Sequence, residues 1–144
     1  MQIQRRATAR WEGGLKQGQG RLSTPQSGLL DGQRYAFGTR FADEVGTNPE
    51  ELLAAAHAGC YSMALAASLE RAGHVAERVE TEAEARMELG AAGPSIVGVH
   101  LKVSAKVPGI GVDAFAAIAE DSKRNCVISR ALGVPVSLDA RLVD

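Results

Sequence analysis

The sequence has little net charge and no long uninterrupted hydrophobic run. Its 144 residues include 16 lysines and arginines against 17 aspartates and glutamates, which gives a formal net charge of −1. Because the basic surplus with which proteins bind nucleic acids or anionic membranes is missing, we expect neither partner. The chain does not open with a basic stretch followed by an apolar stretch, so we predict no export and a cytoplasmic location.

Cysteine is also scarce, with only Cys60 and Cys126 in the chain. Two cysteines do not make the disulfide framework of a small secreted protein, and in a cytosolic protein such a pair is reactive, metal-binding or simply buried. A zinc site needs about four convergent ligands, and here only His57 and Cys60 have a suggestive spacing. We therefore expect no metal and no cofactor. There is no internal repeat or linker, so residues 1–144 are predicted to form a single domain.

The clearest element is a long helix within Thr47–Gly73. Asn48 suits the N-cap and Pro49 the first helical position, and Glu50 puts negative charge in the first turn. Gly73 suits the left-handed position that ends a helix. The many alanines between these ends let other backbones approach closely, which predicts a buried central helix. Charged residues and a histidine interrupt its apolar run, so a membrane span is not expected.

Alternating apolar and polar residues predict most of the other elements. The predicted strands cover 3–11 (half-buried), 21–24, a third segment carrying Tyr35, Phe37 and Phe41, then 75–88, 99–107 and 136–142. Segment 75–88 also has helical propensity, but a strand is favoured because the next segment alternates too and would set lysines against its glutamates. Asp113 is predicted to cap a second helix that continues to about Arg124 and is interrupted at Cys126. The order β-β-β-α-β-β-α-β predicts an α+β fold with antiparallel sheets around the long central helix.

The two cysteines allow two interpretations. Cys60, in the middle of an alanine-rich helix, is either inert packing or a nucleophile, since free cysteine is among the most buried residue types. Cys126 falls at a helix break, where free N–H groups could stabilise a thiolate. The pair is consistent with a peroxidatic and a resolving thiol, and equally with two unrelated core cysteines.

Three further side chains are candidates for the same chemistry. His57 precedes Cys60 by three residues on one side of the helix, so it is either the base of a Cys–His pair or a hydrogen-bonded polar group. Arg40 is either a surface strand arginine or a guanidinium that stabilises a thiolate. In the second case a carboxylate would hold it through two hydrogen bonds, and Glu50 is the obvious one, although its charge at the helix start already explains it.

Several motifs resemble the OsmC branch of the OsmC/Ohr family (osmotically inducible protein C and organic hydroperoxide resistance proteins). They are W-E-G-x-x-K-x-G-x-G, then T-R-F, then T-N-P-E-E-L-x-x-A-A-H-A-x-C-x-S-M-A-L. The resemblance implies thiol-dependent reduction of organic hydroperoxides by an intertwined homodimer. It also implies that an external dithiol reduces the oxidised cysteines after each reaction. On the matching positions Cys60 would be peroxidatic, Cys126 resolving through a disulfide, and Arg40 with Glu50 the activating pair.

The helix length adds an expectation about the dimer. Ten residues separate Glu50 from Cys60, which is about 15 Å along a straight helix. If the four residues converge, Arg40 and Glu50 should therefore reach the Cys60 of the other subunit, and each dimer should hold two composite sites. The alternatives are an acyl-transfer enzyme that uses Cys60 and His57, and a non-catalytic stress-protective dimer in which both cysteines only pack.

Overall fold

The structure is a computed structural model that describes residues 1–144. The chain divides into two compact units, Met1–Leu52 and Leu53–Asp144, which are described separately. The elements are β1 (Thr8–Glu12), β2 (Gln19–Ser23), β3 (Gln33–Ala36), α1 (Phe37–Phe41), α2 (Pro49–Arg71), β4 (Arg78–Gly90), β5 (Gly93–Lys106), α3 (Val112–Asn125), α4 (Val127–Ala131) and β6 (Val136–Leu142). The predicted α+β order is confirmed, with two short helices added. The prediction that Asp113 caps the second helix is wrong, because Asp113 lies in the first turn of α3 and the N-cap is Gly111. The single domain over 1–144 stays a prediction.

The first unit holds an antiparallel sheet in the order β1-β2-β3. The prediction of a half-buried strand over 3–11 is wrong in extent and in burial, because β1 begins at Thr8 and all five of its residues are exposed. Alternation shows that a strand has two unlike faces, but burial of one face requires a second layer of structure above it. Within the first unit no such layer covers β1.

The third predicted strand is also partly wrong, because β3 ends at Ala36 and Phe37–Phe41 forms the helix α1. The Thr39 hydroxyl donates to the Ala36 carbonyl and accepts from the Ala36 N–H, both at 3.0 Å. A spacing of four residues puts Phe37 and Phe41 on one face in a helix as well as in a strand. Their rings lie 5.0 Å apart in α1. The local hydrogen bonds of Thr39 therefore select the helix.

Both predicted ends of α2 are confirmed. At the start, the N–H of Glu51 donates to the side-chain oxygen of Asn48 at 2.9 Å. At the end, Gly73 has φ +87°, and the N–H of His74 donates to the Leu69 carbonyl at 2.9 Å. This is the Schellman arrangement, in which a left-handed glycine satisfies carbonyls that the helix leaves free.

The helix is buried on one face only, which corrects the expectation of a buried helix. His57, Tyr61, Leu65 and Leu69 recur every four residues and are fully buried, whereas Met63 is 77% exposed. The charged residues of α2 lie near its ends, so an 18-residue window reaches a mean hydropathy of 1.4. By length and composition α2 is therefore long and apolar enough to cross a membrane, although core helices pass the same test.

The second unit is built on a sheet in the order β4-β5-β6. Its predicted hairpin is confirmed, with Glu82 of β4 opposite Lys102 of β5. In contrast to the antiparallel pairing expected, β6 runs parallel to β5. Parallel neighbours require a crossover connection, and α3 and α4 supply it. The inward face of β5 packs with α2 and α3 into a core that includes Leu65, Val103 and Phe115.

Candidate active site

The structure brings the two cysteines into contact. Cys60 lies near the middle of α2, and Cys126 lies 66 positions further along the chain, yet their Sγ atoms are 3.1 Å apart. Both are free thiols. Cys126 has the non-helical backbone angles φ −57° and ψ 128° and serves at once as the C-cap of α3 and the N-cap of α4. Its N–H donates to the Ser122 carbonyl at 2.9 Å, so the break between the helices holds the second sulfur against the first.

The two thiols are largely removed from solvent, and a hydrogen-bonded tyrosine lies beside them. Cys126 is fully buried and Cys60 is half-buried. Tyr61, the residue after Cys60, is fully buried, and its hydroxyl donates to the Ala119 carbonyl of α3 at 3.0 Å. This bond fastens α2 to α3 next to the sulfurs. Burial raises the pKa of Tyr61 further above its usual range, so the phenol stays neutral.

The surroundings of the two thiols shift their pKa values in opposite directions. Burial raises the pKa of Cys60; the backbone N–H of Ile128 opposes this, and the hydrogen bond with Cys126 raises it further. Burial is also the largest influence on Cys126, but the N–H and hydroxyl of Ser129 and the hydrogen bond with Cys60 together outweigh it and lower the pKa of Cys126. Two thiols this close titrate as a pair.

His57 contacts a residue that the sequence did not single out. Its Nε2 lies 2.7 Å from the Ser129 hydroxyl oxygen of α4, and its buried Nδ1 has no partner. Burial lowers the pKa of His57, so the imidazole is neutral near pH 7. It is thus a hydrogen-bonded polar group whose recorded partner is Ser129 and not Cys60. Ser129 could have been found from its spacing, because it follows Cys126 by three residues as Cys60 follows His57.

The predicted Arg40–Glu50 pair is present in the first unit. Arg40 Nε donates to both carboxylate oxygens of Glu50 at 3.1 Å, and Nη2 donates to Oε1 at 2.6 Å. Arg40 lies on α1 rather than on the predicted strand, with its guanidinium 4.9 Å from the centre of the Phe41 ring. The hydrogen bond with Glu50 raises the pKa of Arg40, and its side chain is 37% exposed against 13% for Glu50. A permanent, firmly held positive charge is therefore partly open to solvent.

An apolar cleft of about 300 Å³ adjoins this arginine. The cleft is lined mostly by aromatic and aliphatic side chains, with Arg40 as its one charged group: Trp11, Leu15, Tyr35, Ala36, Phe37, Arg40 and Phe41. The rings of Trp11 and Tyr35 are 5.5 Å apart on one wall. The cleft can accept an apolar group of modest size beside a cation.

The four predicted site residues thus form two pairs, one in each unit of the chain. Cys60 contacts Cys126 in the second unit, and Arg40 contacts Glu50 in the first. No group of three or more histidine, cysteine, aspartate or glutamate side chains is arranged to hold a metal ion. The arrangement supports two-electron thiol–disulfide chemistry at the sulfurs and anion stabilisation at the guanidinium.

The α+β fold and its pair of thiols point to a class of protein that the sequence itself identifies. The chain belongs to the OsmC-like protein family, because the profile of that family matches residues 41–140. The chain is 42% identical over 142 residues to the peroxiredoxin OsmC of Escherichia coli strain K12, which covers 99% of both chains. The peroxiredoxin OsmC of Shigella flexneri matches to the same extent.

Solved structures share the fold. The organic hydroperoxide resistance protein OhrB of Bacillus subtilis superposes with a TM-score of 0.71 at 24% identity, over 94% of this chain and 98% of that one. At 24% identity the likeness concerns the fold alone. It agrees with the α+β architecture that the sequence predicted.

Proposed function

We propose that the protein is a thiol-dependent peroxidase that reduces organic hydroperoxides to alcohols. The observation that carries the proposal is the 3.1 Å contact between two free thiols, Cys60 and Cys126, on separate helices. The close relative in Escherichia coli is a peroxiredoxin, and this chain matches it along nearly its whole length. The Bacillus subtilis protein that shares the fold is an organic hydroperoxide resistance protein.

The reaction needs the two sulfurs in sequence. The Cys60 thiolate attacks one peroxide oxygen, the O–O bond breaks, and the alkoxide leaves and takes a proton to become an alcohol. Cys60 is left as a sulfenic acid. Cys126 then attacks the Cys60 sulfur, a disulfide forms, and water leaves. An external dithiol reduces the disulfide by thiol–disulfide exchange and restores both thiols.

The first step requires a cation near Cys60, because burial raises the pKa of this thiol. Arg40 suits this role: Glu50 holds it through Nε and Nη2, which leaves Nη1 for another anion. Since about 15 Å of helix separates Glu50 from Cys60, we place Arg40 beside the Cys60 of a partner subunit in a homodimer. The exposed side chain of Met63, on the face of α2 that this chain leaves open, fits such an association.

The substrate preference follows from the cleft beside Arg40. Its aromatic lining would bind the organic group of an alkyl or aryl hydroperoxide by burial of apolar surface, which hydrogen peroxide cannot match. We expect a higher kcat/KM for a bulky organic hydroperoxide than for hydrogen peroxide. Comparable kcat/KM values for the two peroxides would show that the cleft does not bind the substrate.

We also place the protein in the cytoplasm, where dithiol reductants are available.

The central experiment measures multi-turnover peroxide consumption with a dithiol reductant. Cys60→Ser should lose all reaction, whereas Cys126→Ser should react once and hold a trappable sulfenic acid on Cys60. Ser62→Ala is a matched control on α2, because its hydroxyl bonds Thr81 on β4. Peroxide turnover that survives Cys60→Ser would exclude the proposal.

A second experiment tests whether the site is shared between subunits. Alone, Cys60→Ser should be inactive, and Arg40→Gln should have little activity near pH 7. In a mixture, half of the dimers carry one chain of each kind, and each of these has one intact site out of two, so about a quarter of wild-type activity should return. If Arg40 serves the Cys60 of its own chain, mixing restores nothing.

A further inference from the structure

The side chain of Asn48 makes two hydrogen bonds, and only one of them belongs to a helix cap. Its oxygen accepts from the Glu51 N–H at 2.9 Å, which is the cap at the start of α2. Its amide nitrogen donates to the Thr39 carbonyl of α1 at 3.1 Å. An N-cap needs only a side-chain oxygen, so a serine would serve α2 equally well. The cap therefore leaves the second hydrogen bond unexplained.

This second hydrogen bond reaches a carbonyl near the end of the short helix α1. The helix has five residues, and the last carbonyls of a helix have no N–H partner within it. Thr39 is buried, so its carbonyl needs a partner from elsewhere in the chain. The Asn48 amide supplies that partner. One side chain thus satisfies the end of α1 and the start of α2 at the same time.

Both hydrogen bonds lie directly beside the Arg40–Glu50 ion pair. Thr39 precedes Arg40 in α1, and Glu51 follows Glu50 in α2. The guanidinium of Arg40 donates to Glu50 through Nε and Nη2. The Asn48 bridge therefore joins the backbone next to the arginine with the backbone next to the carboxylate.

The ion pair by itself is a weak link between the two helices. The Arg40 side chain is 37% exposed, and ion pairs open to solvent add little stability while they cost side-chain entropy. A five-residue helix is also too short to be stable on its own in water. The connection between the helices, residues 42–47, is exposed over most of its length. A hydrogen bond from the Asn48 side chain to the backbone of α1 constrains the helix itself.

We propose that Asn48 is a positioning residue for Arg40: its side chain bridges α1 and α2 and so holds the guanidinium in its contact with Glu50. The inference deepens the proposed function and rests on it for what Arg40 does at Cys60. Asn48 acts through Arg40 and takes no part in the chemistry.

The first test follows Arg40 without any peroxide. The hydrogen on Arg40 Nε is directed at both Glu50 oxygens, so its exchange with solvent reports on the ion pair. Heteronuclear NMR measures this exchange, and the resonance is the one that Arg40→Gln removes. Asn48→Ser keeps a capping oxygen but loses the amide donor, and it should speed the exchange about fivefold, as expected for one lost hydrogen bond. Ser62→Ala, on the same helix, should leave the exchange rate unchanged.

A second variant of the same residue separates the bridge from the cap. Asn48→Ala loses both hydrogen bonds, so it should lower the urea midpoint of unfolding more than Asn48→Ser does. Both variants should nevertheless speed the exchange at Arg40. A wild-type exchange rate in Asn48→Ser would overturn the proposal, because the asparagine would then act only as a cap.

The second test compares the rate of Cys60 oxidation by an organic hydroperoxide in two backgrounds, measured in a single turnover at pH 7. Asn48→Ser should slow the oxidation about fivefold in the wild type and not at all in Arg40→Gln, which has no guanidinium left to position. Equal slowing in both backgrounds would overturn the inference, since Asn48 would then act independently of Arg40.

The same comparison keeps the inference apart from the proposed function. If Arg40→Gln alone oxidises at the wild-type rate, the role assigned to Arg40 in the proposed function fails. The exchange measurement at Arg40 Nε needs no peroxide and would still decide whether Asn48 positions the guanidinium.

Discussion

Closing a bond between Cys60 and Cys126 should stabilise the folded chain by a measurable amount. The two Sγ atoms are 3.1 Å apart and need to approach by about 1 Å to reach the disulfide length of about 2.05 Å. The cysteines are 66 positions apart, and the loss of chain entropy from a loop of this length stabilises the folded state by about 4 kcal/mol. Strain on closing the bond would reduce that figure.

Urea denaturation of the oxidised and the reduced protein measures this difference. With an m-value of about 2 kcal/mol/M, a gain of about 4 kcal/mol moves the unfolding midpoint by roughly 2 M. Both forms should be compared at one protein concentration, because association into the proposed homodimer would also stabilise the folded state. Cys126→Ser under the same oxidising and reducing conditions is the control, and its midpoint should not move.

Two outcomes would refute this reasoning. If the oxidised protein gains less than about 1 kcal/mol, bond closure must distort packing around α2 and α4 enough to cancel most of the entropic term. If oxidation instead joins separate chains, the intrachain contact does not govern which disulfide forms. Non-reducing electrophoresis distinguishes these cases, since an intrachain bond leaves the apparent mass that of one chain.

Further predictions concern the core, a helix end, the open helix face and the proposed cation. Leu65→Ala should lower the free energy of unfolding by about 2–5 kcal/mol in urea titrations, since Leu65 is fully buried. Gly73→Ala should cost about 1 kcal/mol in the same assay, because Gly73 has φ +87°. Met63→Ala should weaken self-association in sedimentation experiments, and an unchanged association constant would exclude this face from the dimer. Because burial raises the pKa of Cys60, Arg40→Gln should shift the rate of Cys60 oxidation toward higher pH, and an unchanged pH profile would count against the role of Arg40.

The long helix could be predicted because its ends depend on neighbouring residues. Asn48 caps a group three residues ahead, and Gly73 acts on the turn just before it. Strands β4 and β5 could also be predicted, because their alternation of apolar and polar residues extends over many positions. The opposite charges on the two strands agree with the observed pairing of Glu82 with Lys102.

The errors arose where one pattern fits two structures. A spacing of four between Phe37 and Phe41 suits a strand and a helix alike, and hydrogen bonds of Thr39 settled it. The parallel pairing of β6 with β5 could not be predicted from alternation, which is the same in both directions. Ser129 was missed because its spacing of three residues from Cys126 gains meaning only when it is compared with the same spacing between His57 and Cys60.

By itself, the sequence determined the caps of α2, the strands β4 and β5 and membership of the OsmC-like family, because these depend on residues a few positions apart or on matched motifs. Only the tertiary structure decided that the sulfurs of Cys60 and Cys126 touch, that His57 bonds Ser129, and that one face of α2 stays open. Local hydrogen bonds and periodicity act within a few residues. Contacts between distant residues depend on how whole helices and sheets pack, and that packing is a property of the folded chain.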